Sequence, residues 1–449
     1  YAGNPYFIDP DMLIQDKLLK RSECTKCDWG GDPRHVDYGK IYESRFTLLH
    51  KAYKRGWERD ADKVAAFVEE NRRWLPDYAL YMACKRHFGM KAWTEWDDED
   101  IRLRKSEAVL EKYRALLADD VQFFTYLQFL FFSQWELLRD YVHQQGIRII
   151  GDLPIYVSLD SADVWAEPQF FQLDEELVPK SVAGVPPDYF TADGQLWGNP
   201  LYDWDAMRED GFGWWIRRID GAGKLYDVIR IDHFRGFASY WSVPYGETTA
   251  KNGHWVTGPG MDLIDRLNGW FPQLEFIAED LGYPTPEVAQ LLHDSGWPGM
   301  KVLEFAFDSR DTSSYLPHTY TPHCICYTGT HDNSPLLLWR QEAAPEDIAY
   351  AVAFYPGKYA CCGLGCACGG HLAERCTYRN RIAHAYSRQT RANNTANAYS
   401  DGRNICRLCS HSRCTRKSHS LAPRSLFGAA HNRAVRLRRR ARLRKASDD

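Results

Sequence analysis

A chain of 449 residues and 52.0 kDa is long enough for two or three ordinary domains or one large α/β barrel. With 44% hydrophobic, 26% charged and 14% aromatic residues, its composition excludes a fibrous chain or one unfolded throughout. The formal net charge of −4 excludes a nucleic-acid binder that is basic over its whole surface.

That average hides two compositions. Residues 355–449 hold 20 Lys and Arg against 4 Asp and Glu, whereas residues 1–354 hold 36 against 56. All 16 Trp precede residue 355, and 8 of the 13 Cys follow it. The five Cys before it are scattered and fit a reducing cytoplasm. The chain opens on Tyr1 with no charged-then-apolar leader, which reads as a processed N-terminus or a fragment.

The first 45 residues mix Gly, Pro and Asp with short apolar pieces. Their Cys24-x-x-Cys27 pair lacks a second pair at metal-binding spacing and reads as structural. From 46 to 143 apolar residues recur at helical spacing, as in Leu110, Tyr113, Leu117 and Phe123, Leu127, Phe131. The most apolar run, Val121 to Trp135, is shorter than a membrane span and is broken by Gln122, Thr125, Gln128 and Gln134. It reads as a buried helix, with no membrane partner.

After Gly146 the pattern changes to short apolar runs, each followed by a carboxylate. They are Ile147 to Asp152, Val228 to Asp232, Leu274 to Asp280, Met300 to Asp308 and Cys324 to Asp332. Helical stretches such as Asp262 to Leu267 and Pro286 to His293 separate several of them, as parallel βαβ units require. In a (β/α)₈ barrel the C-terminal strand ends carry the chemistry. One Asp after a strand reads equally as a helix cap or turn former. Five in succession, with His, Arg or Asn beside several, favour a site.

Arg230-Ile-Asp232-His-Phe-Arg235 sets a carboxylate between two arginines, which predicts a lowered Asp232 pKa and an ionised nucleophile. Glu279 beside Asp280 predicts a proton affinity raised by like charge, as a general acid needs. Asp332, next to His331, adds a third carboxylate for an oxocarbenium-like centre, and the set matches a retaining glycosidase. Carboxylates at strand ends also suit Mg²⁺ or Ca²⁺, but the arginines beside Asp232 would repel a cation. The segment 183–200 is too rich in Gly and Pro for a helix and reads as a loop. Its Tyr189, Phe190 and Trp197 either face a sugar ring or anchor the segment to its own domain.

Arg-Ile-Asp232-His-Phe-Arg-Gly, Ala-Glu279-Asp-Leu-Gly, Gly-Thr-His331-Asp332-Asn, Gly-Asp152-Leu-Pro-Ile-Tyr-Val and Val-Pro-Pro-Asp-Tyr-Phe190 together resemble the amylomaltases. These are the 4-α-glucanotransferases of glycoside hydrolase family 77. The resemblance covers residues 1 to about 353, including the opening Ala2-Gly-Asn-Pro. It implies transfer of 1,4-α-glucan segments to a 4-hydroxyl by retaining double displacement, with Asp232 as nucleophile, Glu279 as acid/base and Asp332 as stabiliser. It further implies substrate contacts at Asp152, Tyr189, Phe190, Gln195, Trp197, Arg230 and His331. Maltooligosaccharides are the implied partners, without metal, organic cofactor or nucleic acid, in a bacterial cytoplasm or plant plastid.

The implied fold is a (β/α)₈ barrel with a helical insertion at about 46–143, of which strands three to seven are identifiable. The family's first two strands and its eighth find no match. The tail 354–449 offers an Arg-rich arm ending near Arg442 and a possible zinc set of Cys406, Cys409, His411 and Cys414. Its abrupt change of composition instead favours a shifted reading frame between about Ala351 and Lys358. An α-glucan hydrolase, or an inactive glucan-binding remnant, is the alternative to a transferase.

Overall fold

The computed structural model describes residues 1–354 apart from 33, 189–190, 283–284 and 310–314. The chain divides into two units, Tyr1–Thr377 and Tyr378–Asp449, and every described residue lies in the first.

Nine strands occur among the described residues: β1 Ile150–Leu153, β2 Ser181–Val185, β3 Gln195–Pro200, β4 Val228–Ile231, β5 Ser239–Pro244, β6 His254–Thr257, β7 Glu275–Ala278, β8 Gly299–Val302 and β9 Cys324–Tyr327. Strands β1, β4 and β7 pair in parallel in that order, with Asp152 opposite Arg230 and Arg230 opposite Ile277. Strands β8 and β9 also pair in parallel, with Val302 opposite Tyr327. The Ala278 N–H donates to the Pro298 carbonyl at 2.9 Å, which ties the end of β7 to the residue ahead of β8. Helices Gly213–Leu225, Met261–Trp270 and Pro286–Ser295 precede β4, β7 and β8.

Side chains alternate across a strand, and both faces of this parallel set are covered. Val228, Ile277, Met300 and Ile325 pack together with Ile150, Leu281 and Tyr327 on one face. Their neighbours Ile229, Ile231, Phe276 and Ala278 enter the large core shared with the helices. That explains why these segments are apolar at nearly every position. The α/β architecture matches the reading from sequence.

Two strands stop earlier than the apolar runs suggest. The chain leaves β8 at Val302 for a 3₁₀ helix, Leu303–Phe307, so Glu304 rather than Asp308 is the first carboxylate past the strand. Strand β9 ends at Tyr327 because Asn333 Oδ1 accepts from the Thr330 N–H (2.9 Å) and hydroxyl (3.0 Å). Such a side-chain turn competes with the ladder.

The segment 183–200 is not a simple loop. It contains β2, β3 and their connection, within an antiparallel sheet of order β3-β2-β5-β6. Gly184 hides the strand pattern: a Cβ there would stand 2.5 Å from the Gln195 carbonyl oxygen, so only glycine lets the two chains approach.

The helical block begins with Tyr38–Gly56, where the Asp37 carboxylate caps the Lys40 N–H, and closes with Ala118–Gln144. The glutamines that break the apolar run of this last helix have a function in folding. Gln128 is fully buried, accepts from the Gly3 N–H at 2.7 Å and donates to the Gly3 carbonyl at 2.9 Å. Six residues along, Gln134 makes the same pair of bonds to Asp9 at 2.6 and 3.2 Å. The two side chains therefore dock an otherwise irregular segment onto the helix.

No described helix is long and apolar enough to cross a membrane. Cys24 and Cys27 pack at the edge of the large core. No group of three or more His, Cys, Asp or Glu that could hold a metal occurs among the described residues.

Replacing Gln128 by Leu keeps the volume but leaves the Gly3 N–H and carbonyl buried without partners. We expect a loss of about 2–3 kcal/mol in urea unfolding. A loss below about 0.5 kcal/mol, the range of neutral surface changes, would show that this docking is not needed.

Candidate active site

Strand β4 carries Arg230 on its inward face, where the side chain is 7% exposed. A guanidinium taken out of water needs partners for its five fixed donors. Its Nη1 donates to Asp152 Oδ1 from the paired position on β1 and to Asp232 Oδ1 at 3.0 Å. Its Nε lies 3.2 Å from the Met300 sulfur on β8. One side chain therefore links the ends of β1, β4 and β8.

Asp232 follows β4 directly. Its N–H donates to the Leu153 carbonyl at 3.0 Å, continuing the ladder with β1 and fixing its position. Burial raises its pKa above the ordinary value; Arg230 opposes that, while Asp152 and Asp332 add to it. The lowered pKa expected from two flanking arginines is thus reversed. One reason is that Arg235 turns away, with its guanidinium 4.4 Å over the Trp255 ring. The other is that desolvation of the carboxylate outweighs the single cation that remains.

Glu279 occupies the equivalent place one strand over, since Ile231 pairs with Ala278 and the Glu279 N–H donates to the Ile231 carbonyl at 2.9 Å. Its carboxylate accepts from the His233 N–H at 2.8 Å and the Leu281 N–H at 2.9 Å. Burial nevertheless pushes its pKa up to about 7, against those two bonds and Arg230. The like charge that contributes is Asp232, not Asp280 as the sequence suggested. Successive side chains point to opposite faces, and Asp280 Oδ1 accepts from the Met300 N–H at 2.6 Å.

His233 adopts a left-handed backbone, φ 52°, which is strained for a residue with a Cβ. That turn aims its N–H at Glu279. Burial and Arg235 lower its imidazole pKa to about 4, so the ring is neutral. The ring meets Trp197 edge to face at 4.8 Å. Trp197 itself is 37% exposed and donates through Nε1 to Gln195 Oε1 at 3.1 Å.

Past β9, His331 Nε2 lies 3.3 Å from Asp152 Oδ2 and 3.4 Å from Asp332 Oδ1. Both residues are well exposed. Asp332, His331, Asp152, Arg230 and Asp232 thus form one chain of polar contacts across three strand ends. Tyr189 and Phe190 lie outside the described residues. Sequence reasoning missed His233, Leu281 and Met300, because two act through backbone N–H groups and the third through a thioether. The His between Asp232 and Phe234 in the motif was the available signal for the first.

A family model described as Glyco_hydro_77, 4-alpha-glucanotransferase, matches residues 1–419, extending past the motif resemblance that ends at about residue 353. A 4-alpha-glucanotransferase of Clostridium butyricum is 46% identical over 357 residues, which is 79% of this chain and 73% of that protein. Another from Streptococcus pneumoniae is 48% identical over 359 residues, 80% of this chain and 71% of its own. Among solved structures, an amylomaltase from Streptococcus agalactiae in complex with acarbose superposes with a TM-score of 0.76 at 42% identity, covering 79% of this chain and 72% of that one. An amylomaltase from Corynebacterium glutamicum, 20% identical with a TM-score of 0.59 over 79% of this chain and 50% of its own, shares the fold. This chain belongs to the 4-alpha-glucanotransferases of glycoside hydrolase family 77.

Proposed function

We propose that this glucanotransferase works by retaining double displacement, with Asp232 as nucleophile, Glu279 as acid/base and Asp332 as stabiliser of positive charge. The observation that carries the assignment is the contrast between two neighbouring carboxyls. Asp232 is paired with a guanidinium at 3.0 Å, while Glu279 has no described cation in contact and is raised to about 7 by burial.

In the first half-reaction the Asp232 carboxylate attacks the anomeric carbon as Glu279 gives its proton to the glycosidic oxygen. The reducing-end fragment leaves, and a β-linked glycosyl ester remains on Asp232. In the second, the Glu279 carboxylate takes the proton of an incoming 4-hydroxyl. That oxygen displaces Asp232 and restores an α linkage. Asp152 and Arg230 orient the nucleophile, and His331 holds Asp332. Gln195 and Trp197, with Tyr189 and Phe190, contact the glucan. The relative bound to acarbose supports α-glucans as substrates.

We further infer that the five parallel strands belong to a (β/α)₈ barrel, in keeping with their chain-order pairing and the site at their C-terminal ends. A cytoplasmic location belongs to this reading and is supported by five free thiols among the described residues.

Incubated with maltotriose, the chain should yield glucose together with longer oligosaccharides. Glucose and maltose without lengthening would make it a hydrolase. Asp232→Asn should reduce turnover by about 10⁴-fold or more, as expected when a nucleophile is removed. Retained turnover would move the nucleophile elsewhere.

The pH dependence follows from Glu279. It must be protonated to act as acid, so kcat/KM should fall by at least about tenfold per pH unit above its pKa of about 7. A flat profile from pH 7 to 9 would contradict its role.

A further inference from the structure

One buried carboxyl on the same side of the strands is not used by the mechanism above. Glu304 lies two residues beyond β8, and its N–H donates to the Thr328 carbonyl at 3.1 Å. That bond extends the β8–β9 register of Val302 opposite Tyr327 and brings Glu304 level with Gly329. By strand alternation Met300 shares a face with Val302, the last residue of β8, and Ile325 with Tyr327, the last of β9; Glu304 and Gly329 each follow two residues later. Met300 reaches Arg230, so this is the face of the proposed active site.

Glu304 is 6% exposed, and its Oε1 is buried with no hydrogen-bond partner. A Cβ on Gly329 would stand 3.1 Å from the Glu304 carboxyl carbon and both oxygens. The missing side chain at Gly329 is thus the space that the carboxyl fills. Gly329 immediately precedes the turn Thr330–Asn333, which carries His331 and Asp332 at its centre.

We propose that Glu304 is a positioning residue for glucan transfer, a neutral carboxylic acid packed on Gly329 that holds the turn carrying His331 and Asp332 in place. This inference rests on the reading of Asp332 and Glu279 given above. The charged and titratable groups on the elements around it are Lys301 and Asp308 on its own segment, Cys324, Cys326 and Tyr327 on β9, His331 and Asp332 beyond Gly329, and Glu346, Asp347 and Tyr350 on helix Pro345–Phe354. None makes an ion pair with Glu304 among the described residues. Lys301 instead sits over the Tyr315 ring at 5.0 Å, and Asp347 accepts from the Ser309 N–H at 2.8 Å. Burial alone raises the Glu304 pKa to about 7. A charge there would be unpaired and would push on Gly329 and the turn that follows it.

The test compares the full chain with Glu304→Gln and Glu304→Leu. Gln keeps the shape and neutrality, and Leu keeps only bulk. In the unaltered chain Glu279 and Glu304 must both be protonated, so log kcat/KM for maltotriose should fall with a slope approaching −2 above pH 8. In Glu304→Gln the slope should be −1, and activity at pH 8 relative to pH 6 should be about tenfold higher than in the parent. Glu304→Leu should lose kcat at every pH.

A second measurement does not depend on turnover. The carboxyl ionises near its ordinary pKa when unfolded but only near 7 when folded. Its destabilising effect is therefore absent below about pH 4.5 and complete above about pH 7. The Tm of Glu304→Gln should rise relative to the parent across that window. Equal slopes, or a Tm difference independent of pH, would overturn the proposal. A parent chain with no turnover would instead refute the functional reading, and the Tm comparison would still decide the state of Glu304.

Discussion

A single guanidinium, almost wholly removed from water, is held between carboxylates from two strands. Arg230 cannot shed its charge, so burying it is tolerable only while Asp152 and Asp232 stay in contact with it. The contact runs in the other direction as well. Asp232 is pushed toward its neutral form by burial and by Asp152 and Asp332, and Arg230 is the cation that resists. The register of β1 against β4 and the ionisation of Asp232 are therefore set by the same interaction. Anything that shifts one strand by a residue would turn Arg230 to the outer face and strand both carboxylates.

The same arrangement separates two acids that are otherwise alike. Asp232 and Glu279 leave neighbouring strands at equivalent positions and accept hydrogen bonds from nearby donors. Asp232 receives a charged donor, whereas Glu279 receives two backbone N–H groups. Backbone dipoles stabilise a carboxylate less than a guanidinium does, and in a buried site that difference decides which group keeps a proton near neutrality. The left-handed turn at His233 is the local strain that supplies one of those dipoles.

Much of this was legible in the chain because strand ends in an α/β protein are marked twice, by an apolar run and by the polar residues that follow. The runs at Val228 and Leu274 located β4 and β7 and their terminal carboxylates to within a residue or two. What stayed hidden was direction. Nothing in Arg230-Ile-Asp232-His-Phe-Arg235 says that one arginine pairs with the carboxylate and the other covers Trp255. Asp280 beside Glu279 read as a charge neighbour, yet alternation sends it to the opposite face. Strand β2 was invisible for another reason: Gly184, at a close backbone approach to Gln195, erases the period of two. Gln128 and Gln134 looked like interruptions in an apolar helix, since their partners lie 125 residues away in sequence.

The charge balance of the site then has a direction of its own. Asp152, Asp232, Asp332 and Glu279 converge with Arg230 and the imidazole of His331. With Glu279 protonated, three carboxylates face one permanent cation, and the surplus is negative. A site of that kind is poorly satisfied: burial chiefly holds the pKa of Asp232 up, and the charges of Asp152 and Asp332 add to it. Under the proposed mechanism it becomes satisfied when positive charge develops at a sugar carbon between these groups. Fixed charges that are frustrated before reaction and matched during it lower a barrier without reorganising, because folding has already held them in place. Arg230 sets the limit of this device: it neutralises enough charge for the strands to pack, and leaves enough for an oxocarbenium-like centre to be the better partner.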